Sequence, residues 1–116
     1  MLVPTAFALG DTGAIIRLTV EERDETTGEW EAVDISGATL KELVFRTPRG
    51  NKLVKTATFT NAGTDGKLQY TTDADFFNVK DRGLVGTWQV QPKLEGVAGW
   101  SGRPSICTFR VVDILG

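Results

Sequence analysis

The chain contains no histidine, one cysteine, one methionine and one tyrosine. Without histidine there is no Ser-His-Asp triad, no Cys-His pair, no common zinc site and no default general base. A lone cysteine, Cys107, cannot form an intrachain disulfide, which excludes the disulfide-stapled secreted miniproteins. No apolar run exceeds about five residues, against the roughly 20 that a spanning helix needs, so no membrane partner is expected. Met1-Leu2-Val3-Pro4-Thr5 has neither the basic region nor the apolar stretch of a signal peptide. A phosphate-cradling Gly-x-x-x-x-Gly-Lys-Ser/Thr loop is missing. Neither sign of charge dominates: 13 bases against 15 acids give a net charge of −2, so no broad nucleic-acid surface is expected. These absences together predict a soluble, non-catalytic protein. At 116 residues it is expected to be a single domain, residues 1–116, since two halves would be too small to build separate cores.

What is present favours strands. Threonine occurs 15 times and glycine 13 times. Threonine is β-branched and suits a half-buried pleated surface, while the glycines recur at turn-like intervals. Period-two alternation predicts strands over Ala14–Glu22, Lys52–Thr60, Lys67–Thr72, Gly86–Leu94 and Ser105–Val112. Shorter strands are expected at Ala6–Leu9, which could lie at an edge, and at Trp30–Val33, returning from a hairpin tip at Thr27-Gly28. Ala38–Thr47 is less regular. Leu43 and Phe45 share one parity and Leu40 the other, so either a β-bulge near Lys41-Glu42 turns all three inward or Leu40 belongs to the incoming loop. Thr47-Pro48-Arg49-Gly50-Asn51 closes a hairpin. Asp73-Ala74-Asp75 predicts one helical turn, capped by Thr72 or Asp73, crossing between sheets with one phenylalanine of Phe76-Phe77 beneath it. Seven or eight short strands separated by turns predict a Greek-key β-sandwich, with a small barrel as the alternative. The expected core is Ile16, Leu18, Val20, Leu43, Phe45, Phe59, Leu68, Tyr70, Trp88, Val90, Phe109 and Val111, with Ile35 tucked under its turn.

Few residues could carry chemistry. Cys107 lies at an apolar parity and reads as a buried, inert thiol. Asp73 and Asp75 lack the further ligands that calcium needs and read as capping residues. Asp11-Thr12-Gly13 is the tripeptide of aspartic proteases, but those enzymes need two such loops, and here it reads as a turn. No catalytic, cofactor-binding or metal-binding residue is therefore assigned.

Charge, in contrast, is unevenly placed. Residues 21–34 hold Glu21, Glu22, Asp24, Glu25, Glu29, Glu31 and Asp34 against a single base, Arg23. Residues 35–67 hold Lys41, Arg46, Arg49, Lys52, Lys55 and Lys67 against Glu42 and Asp65. Two readings stand: solvated hairpins, or complementary patches that meet in a repeated assembly. Trp30 and Trp100 lie beside or within polar loops, where an exposed indole marks a protein contact or a sugar platform. The candidate partner-binding residues are Glu25, Glu29, Trp30, Glu31, Arg46, Arg49, Lys52 and Trp100.

Gly10-Asp11-Thr12, the alternating strand after it, Val33-Asp34-Ile35-Ser36-Gly37-Ala38 and Phe45-Arg46-Thr47-Pro48-Arg49-Gly50 resemble the N-terminal domain of phage baseplate upper proteins. Asp65-Gly66-Lys67-Leu68-Gln69-Tyr70, Gly86-Thr87-Trp88-Gln89-Val90 and Phe109-Arg110-Val111 carry the resemblance over nearly the whole chain. Similar immunoglobulin-like modules serve as head decoration, neck and tail proteins of tailed phages. The resemblance implies an all-β, immunoglobulin-like Greek-key sandwich made in the host cytoplasm and built into the virion in many copies. It implies a tail or baseplate component, rather than capsid decoration, that contacts other virion structural proteins without catalysis, cofactor or small-molecule substrate. Two departures stand out. The family continues into a helical, receptor-carrying region where one domain is expected here, and Gly37–Phe45 runs one residue out of step, at the expected bulge. The alternative is a carbohydrate-binding sandwich using Trp100 and Trp30, although such modules present several coplanar aromatics and most aromatics here sit at core parity.

Overall fold

Wherever apolar and polar residues alternate, the chain pairs into strands. The computed structural model describes residues 2–3, 6–97 and 106–113. Among these are eleven strands: β1 (Leu2–Val3), β2 (Ala6–Ala8), β3 (Ile15–Thr19), β4 (Glu21–Arg23), β5 (Trp30–Ala32), β6 (Leu40–Arg46), β7 (Lys52–Thr56), β8 (Thr58–Phe59), β9 (Lys67–Thr71), β10 (Gly86–Glu95) and β11 (Cys107–Val112). One sheet has the order β1-β3-β9-β8 and the other β2-β11-β10-β6-β7. All pairings are antiparallel except that of β2 with β11. This is the immunoglobulin strand order, A-B-E-D facing a C-F-G sheet extended by C′, with the first strand divided between the two sheets.

The count exceeds the expected seven or eight because two predicted strands each divide and the short β1 was not expected. Ala14–Glu22 divides at Val20, whose N–H extends the β3–β9 register by donating to Gly66 O at 2.7 Å while its carbonyl accepts from Val33 N–H at 2.9 Å in register with β4–β5. Lys52–Thr60 breaks at Ala57, whose N–H still bonds Lys41 O at 2.9 Å, while the next residue already pairs with β9 in the opposite sheet. A strand that changes sheets keeps its alternation, so nothing local marks the crossing.

No bulge interrupts β6. It pairs with β10 from Arg46–Gln89 to Leu40–Glu95, and with β7 from Arg46–Lys52 to Glu42–Thr56, without a slipped residue. Leu40 is neither turned inward nor part of the loop. It is the first strand residue, half-buried, at the outward parity.

Ten of the twelve expected core residues are buried, and Phe59 and Tyr70 are half-buried against them. Ile35 is fully buried as expected. Phe7, Leu9, Ala57, Phe76 and Phe77 complete the core. The expected helical turn at residues 73–75 is a non-helical turn with Asp73, Ala74 and Asp75 exposed, and both phenylalanines that follow are buried rather than one, because each ring packs into the aromatic core. Phe76 packs edge-on to Phe45 at 5.0 Å and Phe77 edge-on to Trp88 at 5.4 Å between ring centroids. Asp73 Oδ1 caps that turn, accepting from the N–H groups of Asp75 and Phe76 at 3.0 Å each.

Trp88 sits at the centre. It is fully buried, stacks on its cross-strand partner Phe109 at 5.5 Å, and its Nε1–H donates to Leu84 O at 2.7 Å. In immunoglobulin domains a tyrosine near the start of strand F bonds upstream backbone in the same way. Here an indole makes that bond from β10, pinning the single 3-10 turn Arg82–Leu84 beneath the sandwich.

Candidate functional site

The side chains able to recognise a partner stand on two surfaces, and neither is a deep pocket. The first is the hairpin β4–β5, which is bonded to neither main sheet. An isolated two-stranded ribbon is marginal in water. This one is braced at its tip and its base. Asp24 Oδ1 accepts from Thr26 N–H at 2.8 Å, and Gly28 N–H donates to Asp24 O at 2.7 Å. At the base, Val33 N–H donates to Val20 O at 2.9 Å, and Gly66 fills the corner. Gly66 has φ +75°, and a Cβ there would lie 2.7 Å from Val20 O and 2.9 Å from Val33 O, so only glycine lets the hairpin root this close to β9.

Glu25, Glu29, Trp30 and Glu31 are all exposed on this ribbon. Glu22 and Glu31 stand directly opposite each other across it. Like charges in register oppose strand pairing. Pleat alternation puts Asp24 and Glu29 on the same face as that pair, and Arg23 and Trp30 on the other. Glu22, Asp24, Glu31 and Asp34 line a shallow cleft of about 320 Å³ beside Arg23, Ala32 and Val33. Ser36 lowers the Asp34 pKa below the usual carboxylate value, its hydroxyl donating to Asp34 Oδ1 at 2.6 Å and its N–H at 2.9 Å. Trp30 is 55% exposed.

The second surface is the outward face of the five-stranded sheet. The register aligns Val54, Val44 and Gln91 in one row across β7, β6 and β10. Ile106, 56% exposed just before β11, stands at the end of that row. The next row is Lys52, Arg46, Gln89 and Thr108. Between the rows is an open depression of about 250 Å³ lined by Val44, Arg46, Lys52, Gln89, Gln91 and Ile106. Arg46 and Lys52 are thus brought together as a cross-strand pair, with Arg46 also donating to Gly50 O at 2.9 Å. Lys93 and Arg110 are exposed on the same face, against Glu42 and Glu95.

Arg49 is not part of this patch. It turns back to Asp81 at 3.1 Å and lies over Gly83, where a Cβ would collide with its guanidinium. Trp100 lies outside the described residues. The row Val44, Val54 and Ile106 was missed from sequence because each holds a polar-parity position in its own strand, and only the register brings them side by side.

The remaining candidates have structural places. Asp11 Oδ2 accepts from Ala8 N–H at 2.9 Å and closes its turn. Cys107 is half-buried against the core. Among the described residues, no three His, Cys, Asp or Glu side chains form a group that could hold a metal ion. Trp30 is the one mainly exposed aromatic among them. The strand β6, which contributes to the second surface, spans roughly 20 Å at the usual rise per residue. The acidic hairpin leads into one end of β6 and the basic turn leaves the other. No family model matches the chain, and no curated protein matches it.

Proposed function

We propose that this chain is a non-enzymatic structural protein of a tailed-phage virion, a tail or baseplate component that acts through protein–protein contacts. The observation that carries the reading is the free-standing acidic hairpin. It holds the opposed Glu22 and Glu31 and an exposed tryptophan outside both main sheets, and like charges in register oppose strand pairing. A neighbouring basic surface meets Glu22, Glu29 and Glu31. The strand edges are poor docking sites by comparison. β1 and β8 are two residues long, and the edge strand β7 carries Lys52 outward and Lys55 at the inward parity, a pattern that resists strand addition. The resemblance to baseplate upper proteins supplies the setting.

The test is a mass-spectrometric inventory of purified particles with copy number. The chain is expected there in multiple copies, and its absence from particles refutes the assignment. Reversing Glu25, Glu29 and Glu31 to lysine is expected to leave the domain folded and to block its incorporation.

A further inference from the structure

The hairpin and the outer sheet face are complementary in charge. Residues 21–34 carry seven acids and one base. The outer face presents Arg46, Lys52, Lys93 and Arg110 against Glu42 and Glu95. The face also has an open depression, about 250 Å³ beside Val44 and Ile106. Its walls are aliphatic on one side and cationic on the other, which suits an indole through both burial and cation–π contact. Trp30 is such an indole, exposed on its own molecule, with Arg23 opposite it on the same face and Glu29 and Glu31, its neighbours in the strand, turned to the other face, so that only an edge-on approach presents all three at once.

We infer that the chain binds a second copy of itself head to tail: β5 of one copy meets the outer face of the other edge-on. Trp30 enters the depression between Val44, Gln91 and Ile106, and Glu29 and Glu31 reach Arg46 and Lys52. Because the two surfaces differ, the contact is heterologous, and repetition builds a ring or a filament rather than a closed pair. The inference deepens the assembly reading by naming the partner, and it rests on that reading's claim that the chain works by protein contact.

The test uses the purified full chain in sedimentation velocity over a range of concentrations, at low and high salt. The wild type is expected to gain mass with concentration, less so at high salt. Trp30→Ala is expected to weaken association by more than about tenfold, the loss typical of a buried anchor. The double variant Glu29→Lys/Glu31→Lys and the double variant Arg46→Glu/Lys52→Glu are each expected to stay monomeric. An equimolar mixture of the two restores association, because each reversed surface then meets its complement. Glu31→Lys also relieves the clash with Glu22, so loss of fold does not explain a monomer, and far-ultraviolet circular dichroism checks this directly. A wild type that stays monomeric at every concentration overturns the inference. So does association that survives Trp30→Ala and both reversals. A monomeric chain found in particles sinks the self-contact and leaves the virion reading standing, whereas a self-associating chain absent from particles does the reverse.

Discussion

Trp88 offers the sharpest test of the packing argument. Its indole is fully buried, contacts Phe45, Phe76, Phe77 and Phe109, and donates the bond that holds Leu84. Trp88→Ala removes the ring and leaves a cavity, at about 3–5 kcal/mol. It also strips the Leu84 carbonyl of its donor, adding about 1 kcal/mol at a partly buried site. The sum, about 4–6 kcal/mol, is at least about a quarter of the roughly 5–15 kcal/mol that holds a domain together and close to all of it at the lower end, so this variant is expected to be largely unfolded near 37 °C. Trp88→Phe is the more informative change. It keeps an aromatic ring against Phe109 but loses the N–H and the second ring, for about 2 kcal/mol. At about 4 °C per kcal/mol for a chain of this length, the melting midpoint should fall by about 8 °C. Thermal unfolding followed by far-ultraviolet circular dichroism measures the shift without relying on the altered fluorophore. A Trp88→Phe midpoint within about 2 °C of wild type refutes the claim that this indole and its hydrogen bond organise the core.

Gly66→Ala should destabilise by more than about 2 kcal/mol, because the clash is with backbone oxygens of Val20 and Val33 that cannot swing away, and urea denaturation would read the loss. Thr60→Val should leave stability unchanged or raise it by up to about 1 kcal/mol, since the buried Thr60 Oγ1 has no hydrogen-bond partner and valine has the same shape; a clear loss in calorimetry contradicts this. Burial, helped by the Asp73 carboxylate, pushes the Tyr70 hydroxyl above its ordinary value of 10.0. The fold then holds this proton more tightly than the unfolded chain does. Its contribution is full below pH 10.0 and is lost as pH rises through the folded value, a fall that Tyr70→Phe should remove from the pH–stability curve. Asp73→Ala should lower the Tyr70 titration midpoint in ultraviolet difference spectra and cost about 1 kcal/mol through loss of the turn cap.

Much of the core was legible because burial in a sheet follows a purely local rule. Ile16 and Leu18, Leu43 and Phe45, Trp88 and Val90, and Phe109 and Val111 each lie two apart, and the pleat sends both members of a pair to one side. Phe76 and Phe77 escape that rule. They follow a capped turn rather than a strand, and their burial depends on two sheets closing over them from distant parts of the chain. The supposed bulge in β6 failed for a related reason. Apolarity left Leu40 open between an inward bulge and the incoming loop, yet at the mouth of a strand a leucine rests half-buried at the outward parity without penalty.

The candidate surfaces divide in the same way. Composition and order along the chain already determined that an acidic, tryptophan-bearing hairpin precedes a basic turn, and that no histidine, thiol pair or phosphate loop supplies catalytic machinery. Only tertiary structure decided which of those charges face outward together. Arg49 left the basic group because Asp81, far along the chain, folds back beneath it. Arg46 and Lys52 stayed, joined by Val44 of β6, Val54 of β7 and Ile106 just before β11, whose alignment depends on hydrogen-bond register. Alternation tells each strand which way its side chains point. Which strands lie side by side, and so which side chains make one surface, is decided by long-range pairing that no short stretch of sequence contains.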